Sequence, residues 1–165
     1  MPPALPATDF AAPIDARWFE DYVPGTVVAY GPIAVDAGDI VDFARRFDPQ
    51  PFHVDAEAVA AGPFGGLIAS GWHTASLMMR LLVEHYLSRV ASLGSPGVDD
   101  LRWLQPVRPG DLLSLRVTVA DARRSRSKPD RGVVESQIEV LNQRDAVVMT
   151  LRALTLMRCR TGAPG

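Results

Sequence analysis

The order of hydrophobic and polar positions predicts helices in the first half of the chain and strands in the second half. A bounded apolar run predicts a short strand over residues 27–30. Apolar residues then recur at helical spacing over residues 37–47, and Asp36 stands before them as a candidate N-cap. Residues 55–61 have the composition of one or two further helical turns.

The longest helical pattern begins at Ser70-Gly71. Apolar residues cover nearly every side of this segment until Glu84, and they continue to Val90, so the pattern predicts a long buried helix. After a Gly- and Pro-containing loop the apolar period becomes two, which is typical of strands with one buried face. The pattern predicts four such strands, over residues 98–107, 112–119, 133–140 and 147–157.

This order of elements predicts an α+β fold in which a long central helix is wrapped by an antiparallel sheet of about five strands. Short turns between the strands leave no room for crossover helices, which excludes a doubly wound dinucleotide-binding fold. Neither GxGxxG nor GxxxxGK[ST] occurs in the chain. We expect residues 1–16 to form a Pro- and Ala-rich arm, residues 17–160 to form a single domain, and residues 161–165 to be loose.

Composition narrows the function further. The chain has 165 residues, which suits one domain better than two. A net charge of -2, from 17 basic and 19 acidic residues, argues against nucleic acid as the main partner. The single cysteine, Cys159, excludes an intramolecular disulfide and a cysteine-based metal site, and it fits a reducing compartment. We find no signal peptide and no apolar run long enough to span a membrane, so we expect a cytoplasmic protein that binds no membrane.

Candidate chemistry centres on His53. This histidine follows Asp48 by five residues across a proline-stiffened turn, which can point a carboxylate and an imidazole into one cleft. Such a pair can polarise one water molecule as a general acid and base. The alternative is that Asp48 caps the turn and His53 only packs. His73 lies where the helix dipole disfavours imidazolium, so we expect it to be neutral, and we expect His85 to be a packed or capping residue.

A second candidate is the glycine-rich segment that leads into the central helix. Unpaired backbone N–H groups at a helix N-terminus form a donor site for a developing negative oxygen, and Gly71 permits close approach of a carbonyl. The alternative is that the glycines only let the chain turn and Ser70 caps the helix. No motif with the spacing of metal ligands occurs, so we expect no metal site.

The segment FARRFDPQPFHVDAEAVAAGPFGGLIASGWHTASLMMRL resembles the MaoC-like dehydratases, which include the (R)-specific enoyl-CoA hydratases. The family's motif is similar to Asp48, His53 and Asp55, followed by Ser70-Gly71 at the entry to the central helix. A later Pro-Gly-Asp corner, Pro109-Gly110-Asp111, is also similar to the family's pattern. The resemblance covers roughly residues 20–158.

The resemblance implies a hot-dog fold, a homodimer with two sheets joined edge to edge, and a coenzyme A thioester as substrate, with no separate cofactor. It implies that Asp48 and His53 are the catalytic pair. It also implies that the backbone N–H of Gly71, with Ser70 beside it, serves the thioester oxygen. The reaction would be addition of water to an enoyl thioester, or removal of water from a 3-hydroxyacyl thioester.

This chain departs from the family's pattern at three positions. Gln50 stands where Asn is common, Ser70 where His is frequent, and Met79 where a serine often lies on the central helix. We therefore expect an acyl pocket that differs from those of the short-chain hydratases. Its candidate lining residues are Phe52, Trp72, His73 and Met79. For the phosphates of coenzyme A the candidates are Arg123, Arg124, Arg126 and Lys128, whose other interpretation is a solvated hairpin loop.

Two other functions remain open at this stage. A hot-dog thioesterase would bind the same thioester but direct water to the carbonyl carbon. A non-catalytic subunit would bind an acyl thioester without turnover. The sequence leaves open the acyl group, the choice between coenzyme A and an acyl carrier protein, the physiological direction, and any assembly beyond a dimer.

Overall fold

A computed structural model describes residues 9–160, and its central feature is a five-stranded antiparallel sheet. The strands lie in the order β1-β3-β4-β5-β2, so β1 and β2 form the two edges. Their bounds are Val27–Ala34 for β1, Gly97–Trp103 for β2, Leu112–Arg124 for β3, Arg131–Leu141 for β4 and Val147–Arg158 for β5. The α+β prediction with about five strands is confirmed.

Alternation along the central strands decides which face of the sheet is buried. On β3, Leu113, Leu115 and Val117 point into the core, while Arg116 between them lies on the outer face. Arg116 there forms a bidentate ion pair with Glu139 of β4, with N–O distances of 2.6 and 2.8 Å. One face of the sheet is therefore apolar and packs on the helices.

The described chain has three α-helices. Helix α1 spans Ala37–Phe47, and the side chain of Asp36 accepts a hydrogen bond from the Asp39 N–H at 3.1 Å, as expected of an N-cap. Helix α2 is a single turn, Pro51–Val54. The central helix α3 spans Gly71–Leu81 and continues as a π-helical turn over Leu82–Tyr86. Helix α3 packs on the inner face of the sheet, and α1 packs against α3 and α2. No helix within residues 9–160 is long and apolar enough to cross a membrane.

The central helix is less buried than its apolar sequence predicts. Trp72, Met79 and Val83 are 57%, 44% and 50% exposed. The prediction of burial on nearly all sides was wrong, because the sheet covers only one side of the helix. Met79, Val83 and Val98 of the edge strand β2 all line one apolar groove beside this exposed side.

Several predicted element bounds also differ from the structure. Residues 55–61 form turns instead of helix. Strand β1 continues past Gly31-Pro32 through a register shift between Tyr30 and Ile33, because an edge strand tolerates a proline that a central strand would not. Strand β2 ends at Trp103, four residues before the predicted end.

The segment before β1 is tied to the central helix. Arg17 is buried, and its guanidinium donates hydrogen bonds to the carbonyls of Ala12, His85 and Tyr86 at 3.0–3.2 Å. The carbonyls at the end of the π-helical turn thereby gain a cationic donor. Of the predicted arm, residues 9–16 pack on the domain, and residues 1–8 lie outside the described range, as do residues 161–165.

Candidate active site

The turn between α1 and α2 brings Asp48 and His53 together. Asp48 is the C-cap of α1, where its N–H donates to the carbonyl of Ala44 at 2.8 Å. Pro51 takes the first position of α2, where a proline costs no hydrogen bond. The His53 N–H then bonds the Gln50 carbonyl at 2.9 Å. This tight turn puts the two side chains on the same side of the backbone.

His53 and Asp48 form a dyad whose side chains lie next to each other. His53 Nε2 lies 3.3 Å from Asp48 Oδ2, and the two side chains are 6% and 19% exposed. His53 Nδ1 lies 2.7 Å from the carbonyl oxygen of Ile68. Because a carbonyl can only accept, this contact assigns a proton to Nδ1, and in the neutral ring Nε2 is left as an acceptor.

Two further donors surround Asp48. Gln50 Nε2 donates to Oδ1 and Ser70 Oγ donates to Oδ2, each at 2.7 Å. These two hydrogen bonds, that of Gln50 first, hold the pKa of Asp48 below its ordinary value of 3.8. Asp48 is therefore ionised at neutral pH, and both members of the dyad can accept a proton.

The N-terminus of α3 faces the dyad with one free donor. Ser70 is the N-cap, and its Oγ accepts from the Trp72 N–H at 3.3 Å. Its carbonyl accepts from the N–H groups of His73 and Thr74. The N–H of Gly71 has no acceptor within residues 9–160. An unpartnered N–H at a helix N-terminus is suited to stabilising negative charge on an oxygen.

A cleft of about 270 Å³ lies between His53 and the N-terminus of α3. His53 and Gly71 both line it, together with Thr74, Trp103 and Val148. Its walls are otherwise mainly apolar, from the segment that follows β2. The arrangement offers an acid/base pair on one side and a hydrogen-bond donor on the other. Among the described residues, no group of three His, Cys, Asp or Glu side chains could hold a metal ion.

Comparison with known proteins identifies the family of the chain. The family model described as "MaoC like domain" matches residues 21–141. The chain belongs to the MaoC-like dehydratase family. The MaoC-like dehydratase of Rhodospirillum rubrum superposes with a TM-score of 0.81 at 42% identity, covering 88% of this chain and 99% of that chain. The hot-dog fold that the resemblance implied is thus confirmed.

Other relatives are more distant. The Bacillus subtilis protein YdeM is 30% identical over 129 residues, which is 78% of this chain and 90% of that protein. The 3-hydroxybutyryl-CoA dehydratase of Methylorubrum extorquens is 33% identical over 89 residues, covering 53% of this chain and 54% of that protein. The (R)-hydratase PhaJ1 of Pseudomonas aeruginosa shares the fold, with a TM-score of 0.68, 23% identity and coverage of 87% of this chain and 86% of that chain.

The candidate pocket residues of this MaoC-like chain do not all lie in one place. Phe52 stacks edge-on against the His53 ring, with centroids 4.5 Å apart. Trp72 packs edge-on against Trp103, which lines the cleft. Met79 instead lines the apolar groove beside the exposed side of α3. This groove is a second cavity, of about 390 Å³, and is larger than the cleft.

Neither His73 nor His85 lines the cleft beside the dyad. His73 is buried and stacks on Phe43 of α1, with centroids 5.0 Å apart. Burial lowers the pKa of His73, which agrees with the neutral state expected from the helix dipole but has a different main cause. His85 is exposed and stacks on Tyr30 at 5.1 Å. His73 lines none of the cavities formed by residues 9–160 that are described above.

The basic residues proposed for coenzyme A lie at the far end of the sheet. They are on the end of β3 and on the hairpin loop that precedes β4. Strand β4 has 11 residues and is about 35 Å long at the rise of a strand, so its two ends are far apart. The cleft lies at the other end, beside Val148 of β5. Arg123 there pairs with Asp121 at 2.8 Å, and Arg124 donates to the Pro129 carbonyl at 2.6 Å. One chain does not bring Arg123, Arg124, Arg126 and Lys128 to its own cleft.

Sequence reasoning missed two features of the site. The Ile68 carbonyl decides the tautomer of His53, but a backbone group leaves no mark in the sequence. Trp103 lies on Gly71, and its indole Nε1 donates to the Gly71 carbonyl at 2.9 Å. The sequence hints at the contact with Gly71 only through the position of Trp103. It is a tryptophan at the end of an edge strand, two residues before Gln105-Pro106.

Proposed function

We propose that this protein is a hydro-lyase that acts on acyl-CoA thioesters, as an enoyl-CoA hydratase or 3-hydroxyacyl-CoA dehydratase. The observation that supports this most is the Asp48–His53 pair, 3.3 Å apart, whose histidine lines the same cleft as Gly71 with its free N–H. The similarity to a 3-hydroxybutyryl-CoA dehydratase adds support. The thioester carries coenzyme A as part of the substrate, and no separate cofactor is needed.

The dyad would hold one water molecule. Ionised Asp48 and the Nε2 of His53 both accept hydrogen bonds, so a water that lies against both atoms on their open side can donate one hydrogen to each. As the water oxygen bonds to C3 of the enoyl group, one of the two groups takes its proton. A proton is returned to C2, so the carbon–carbon double bond becomes a single bond. Because both groups lie on one side of the substrate, addition is syn.

Negative charge moves onto the thioester oxygen while the C3–O bond forms. The N–H of Gly71 would donate to that oxygen, and its position at the N-terminus of α3 adds the favourable end of the helix dipole. Dehydration uses the same groups in exchanged roles, with loss of the C2 proton and departure of the C3 hydroxyl as water. Which of Asp48 and His53 exchanges the C2 proton is left open by the geometry.

The apolar groove beside α3, which is the larger of the two cavities, is the proposed site of the acyl chain. Thr74 and Val148 line the cleft, while Met78 and Leu151 line the cavity. Thr74 and Met78 lie about one helical turn apart on α3. Val148 and Leu151 lie three residues apart on β5. A thioester held at Gly71 would direct its acyl chain along this path, with Met79 at the side of the cavity. The lining of the cavity is mainly apolar, as an alkyl chain requires.

The test is a hydration assay on the purified protein. Loss of enoyl absorbance is followed across trans-2-enoyl-CoA substrates of increasing length and branching, with a thiol reagent in parallel. We expect loss of the enoyl signal without release of free thiol. Thiol release would instead establish a thioesterase, and binding of the thioesters without either signal would favour a non-catalytic acyl-binding subunit.

A further inference from the structure

Trp103 contacts the one residue of the site that has no side chain. Its indole Nε1 donates to the Gly71 carbonyl at 2.9 Å. A Cβ on Gly71 would lie within 2.6 Å of the Cδ2 and Nε1 atoms of the same indole, which is closer than real Cβ contacts allow. The first residue of α3 is therefore packed flat against the ring.

The indole itself is held from two directions. Trp103 is the last residue of β2 and is in register with Met149 of β5, so its backbone is part of the sheet. The ring of Trp72 meets the indole edge-on, with centroids 5.1 Å apart and planes at 79°. Trp103 also lines the cleft together with His53. The sheet thus reaches across the cleft to the N-terminus of the central helix.

The hydrogen bond from Trp103 is not needed to satisfy the helix. A carbonyl in the first turn of an α-helix already accepts from the N–H four residues later. Glycine, in contrast, is the residue with the greatest backbone freedom, and a terminal residue of a helix frays most easily. The free N–H of Gly71 belongs to the Ser70–Gly71 peptide, whose carbonyl already accepts from the N–H groups of His73 and Thr74. The bond from Trp103 holds the next peptide plane, Gly71–Trp72. Together they hold both peptide planes that flank the Gly71 Cα, so the residue does not fray and turn its N–H away.

We propose that Trp103 is a positioning residue, which holds the Gly71 N–H in place to stabilise negative charge on a thioester oxygen. The contact also gives a reason for glycine at position 71, since a Cβ there would collide with the indole as it is placed. This inference rests on the proposed function of the Gly71 N–H. It concerns a residue outside the dyad and outside the helix that carries the donor.

The first experiment replaces Trp103 with Phe, which keeps an aromatic ring and removes the indole N–H. We expect Trp103→Phe to lower kcat for enoyl-CoA hydration about tenfold with little change in KM, because the lost contact matters when charge develops. Trp18→Phe is the matched control, since Trp18 lies in the segment before β1. An unchanged kcat in Trp103→Phe, or an equal loss in the control, would overturn the proposal while leaving the hydratase assignment intact.

A second readout does not depend on turnover. Acetoacetyl-CoA forms an enolate with its own ultraviolet absorbance, and a donor at the thioester oxygen stabilises that enolate. We expect wild type to raise the enolate fraction of the bound probe and Trp103→Phe to reduce it. This result would support Trp103 even if no enoyl-CoA were hydrated. Absence of the enolate signal in wild type would show that Gly71 is not such a donor and would overturn the inference.

The steric part has its own test. Gly71→Ala should lose most of its activity and enolate signal because the new Cβ meets the indole. Adding Trp103→Ala should restore part of the enolate signal by making room. A Gly71→Ala variant as active as wild type would contradict the packing argument. If Gly71→Ala does not fold, Trp103→Phe still decides the question.

Discussion

Neighbouring groups set the chemical state of both Asp48 and His53. The hydrogen bonds to Asp48 keep it ionised, and the Ile68 carbonyl keeps the proton of His53 on Nδ1. Neither residue would be arranged for proton transfer by spacing alone.

Loss of either member of the dyad should reduce turnover. We expect Asp48→Asn and His53→Ala each to lower kcat for enoyl-CoA hydration by about 100-fold or more, which is the range of general acid–base contributions. Asp42→Asn on the exposed side of α1 is the matched control and should keep wild-type rates. Circular dichroism checks that the variants fold. Rates near wild type in either dyad variant would refute the catalytic assignment.

His73 should make stability sensitive to acid. Burial lowers the pKa of His73 below its ordinary value of 6.5, so the unfolded chain binds a proton that the folded chain does not accept. This contribution to the free energy of unfolding is present above pH 6.5 and is lost as pH falls from there through the folded pKa. His73→Phe retains a ring against Phe43 but cannot titrate.

The measurement is urea denaturation of wild type and His73→Phe at pH 7 and pH 5. We expect the decrease in the free energy of unfolding between the two pH values to be smaller in the variant. An equal decrease in both proteins would mean that His73 does not contribute to the acid sensitivity.

At the scale of elements, α3 links the fold to the site. Its N-cap Ser70 accepts from the Trp72 N–H and also donates to Asp48, so one side chain stabilises the helix and the dyad. The same helix presents Gly71 to the cleft and Met79 to the larger cavity. A substitution at the N-cap of α3 should therefore change both the free energy of unfolding and the pKa of Asp48.

Ser70→Ala tests this double role. We expect a loss of about 1 kcal/mol in the free energy of unfolding, which is typical for removal of an N-cap. We also expect the pKa of Asp48 to rise toward its ordinary value, because one of its hydrogen bonds is lost. Carboxyl NMR titration measures the second effect. Ser76→Ala on the exposed side of the same helix should change neither quantity, and a variant at Ser70 that behaves like Ser76→Ala would contradict the assignment.

At the scale of the whole molecule, one face lacks a partner within the described chain. Met79 and Val83 on α3 and Val98 and Trp103 on the edge strand β2 are all exposed. An exposed edge with apolar neighbours favours association with a second copy. The other edge, β1, contains Pro32, which cannot donate to a further strand. The predicted homodimer would therefore form through β2 and α3.

Val98→Asp tests this arrangement. We expect wild type to show twice the chain mass of 17.9 kDa by light scattering, and the variant to show the chain mass alone. A buried carboxylate at the interface would lack a partner, which disfavours association. Val23→Asp, an equally exposed valine before β1, should remain a dimer. A monomeric wild type, or a dimer that survives Val98→Asp, would argue against this surface.

Local patterns in the sequence determined much of the fold. Alternation identified β3, β4 and β5, helical spacing identified α1, and short polar side chains identified the caps Asp36 and Ser70. These signals are reliable because each depends on neighbours within a few residues. The family motif added the hot-dog topology and the dyad, whose two members are close in sequence.

Tertiary structure decided what depends on residues far apart in the chain. The sheet covers only one side of α3, so apolar residues such as Met79 are exposed although the sequence predicts burial. Trp103 reaches Gly71 across 32 positions, and the Ile68 carbonyl reaches His53 across 15. The basic hairpin lies at the opposite end of the sheet from the cleft because β4 is long. Such contacts follow from how elements pack, and no local pattern of residues encodes them.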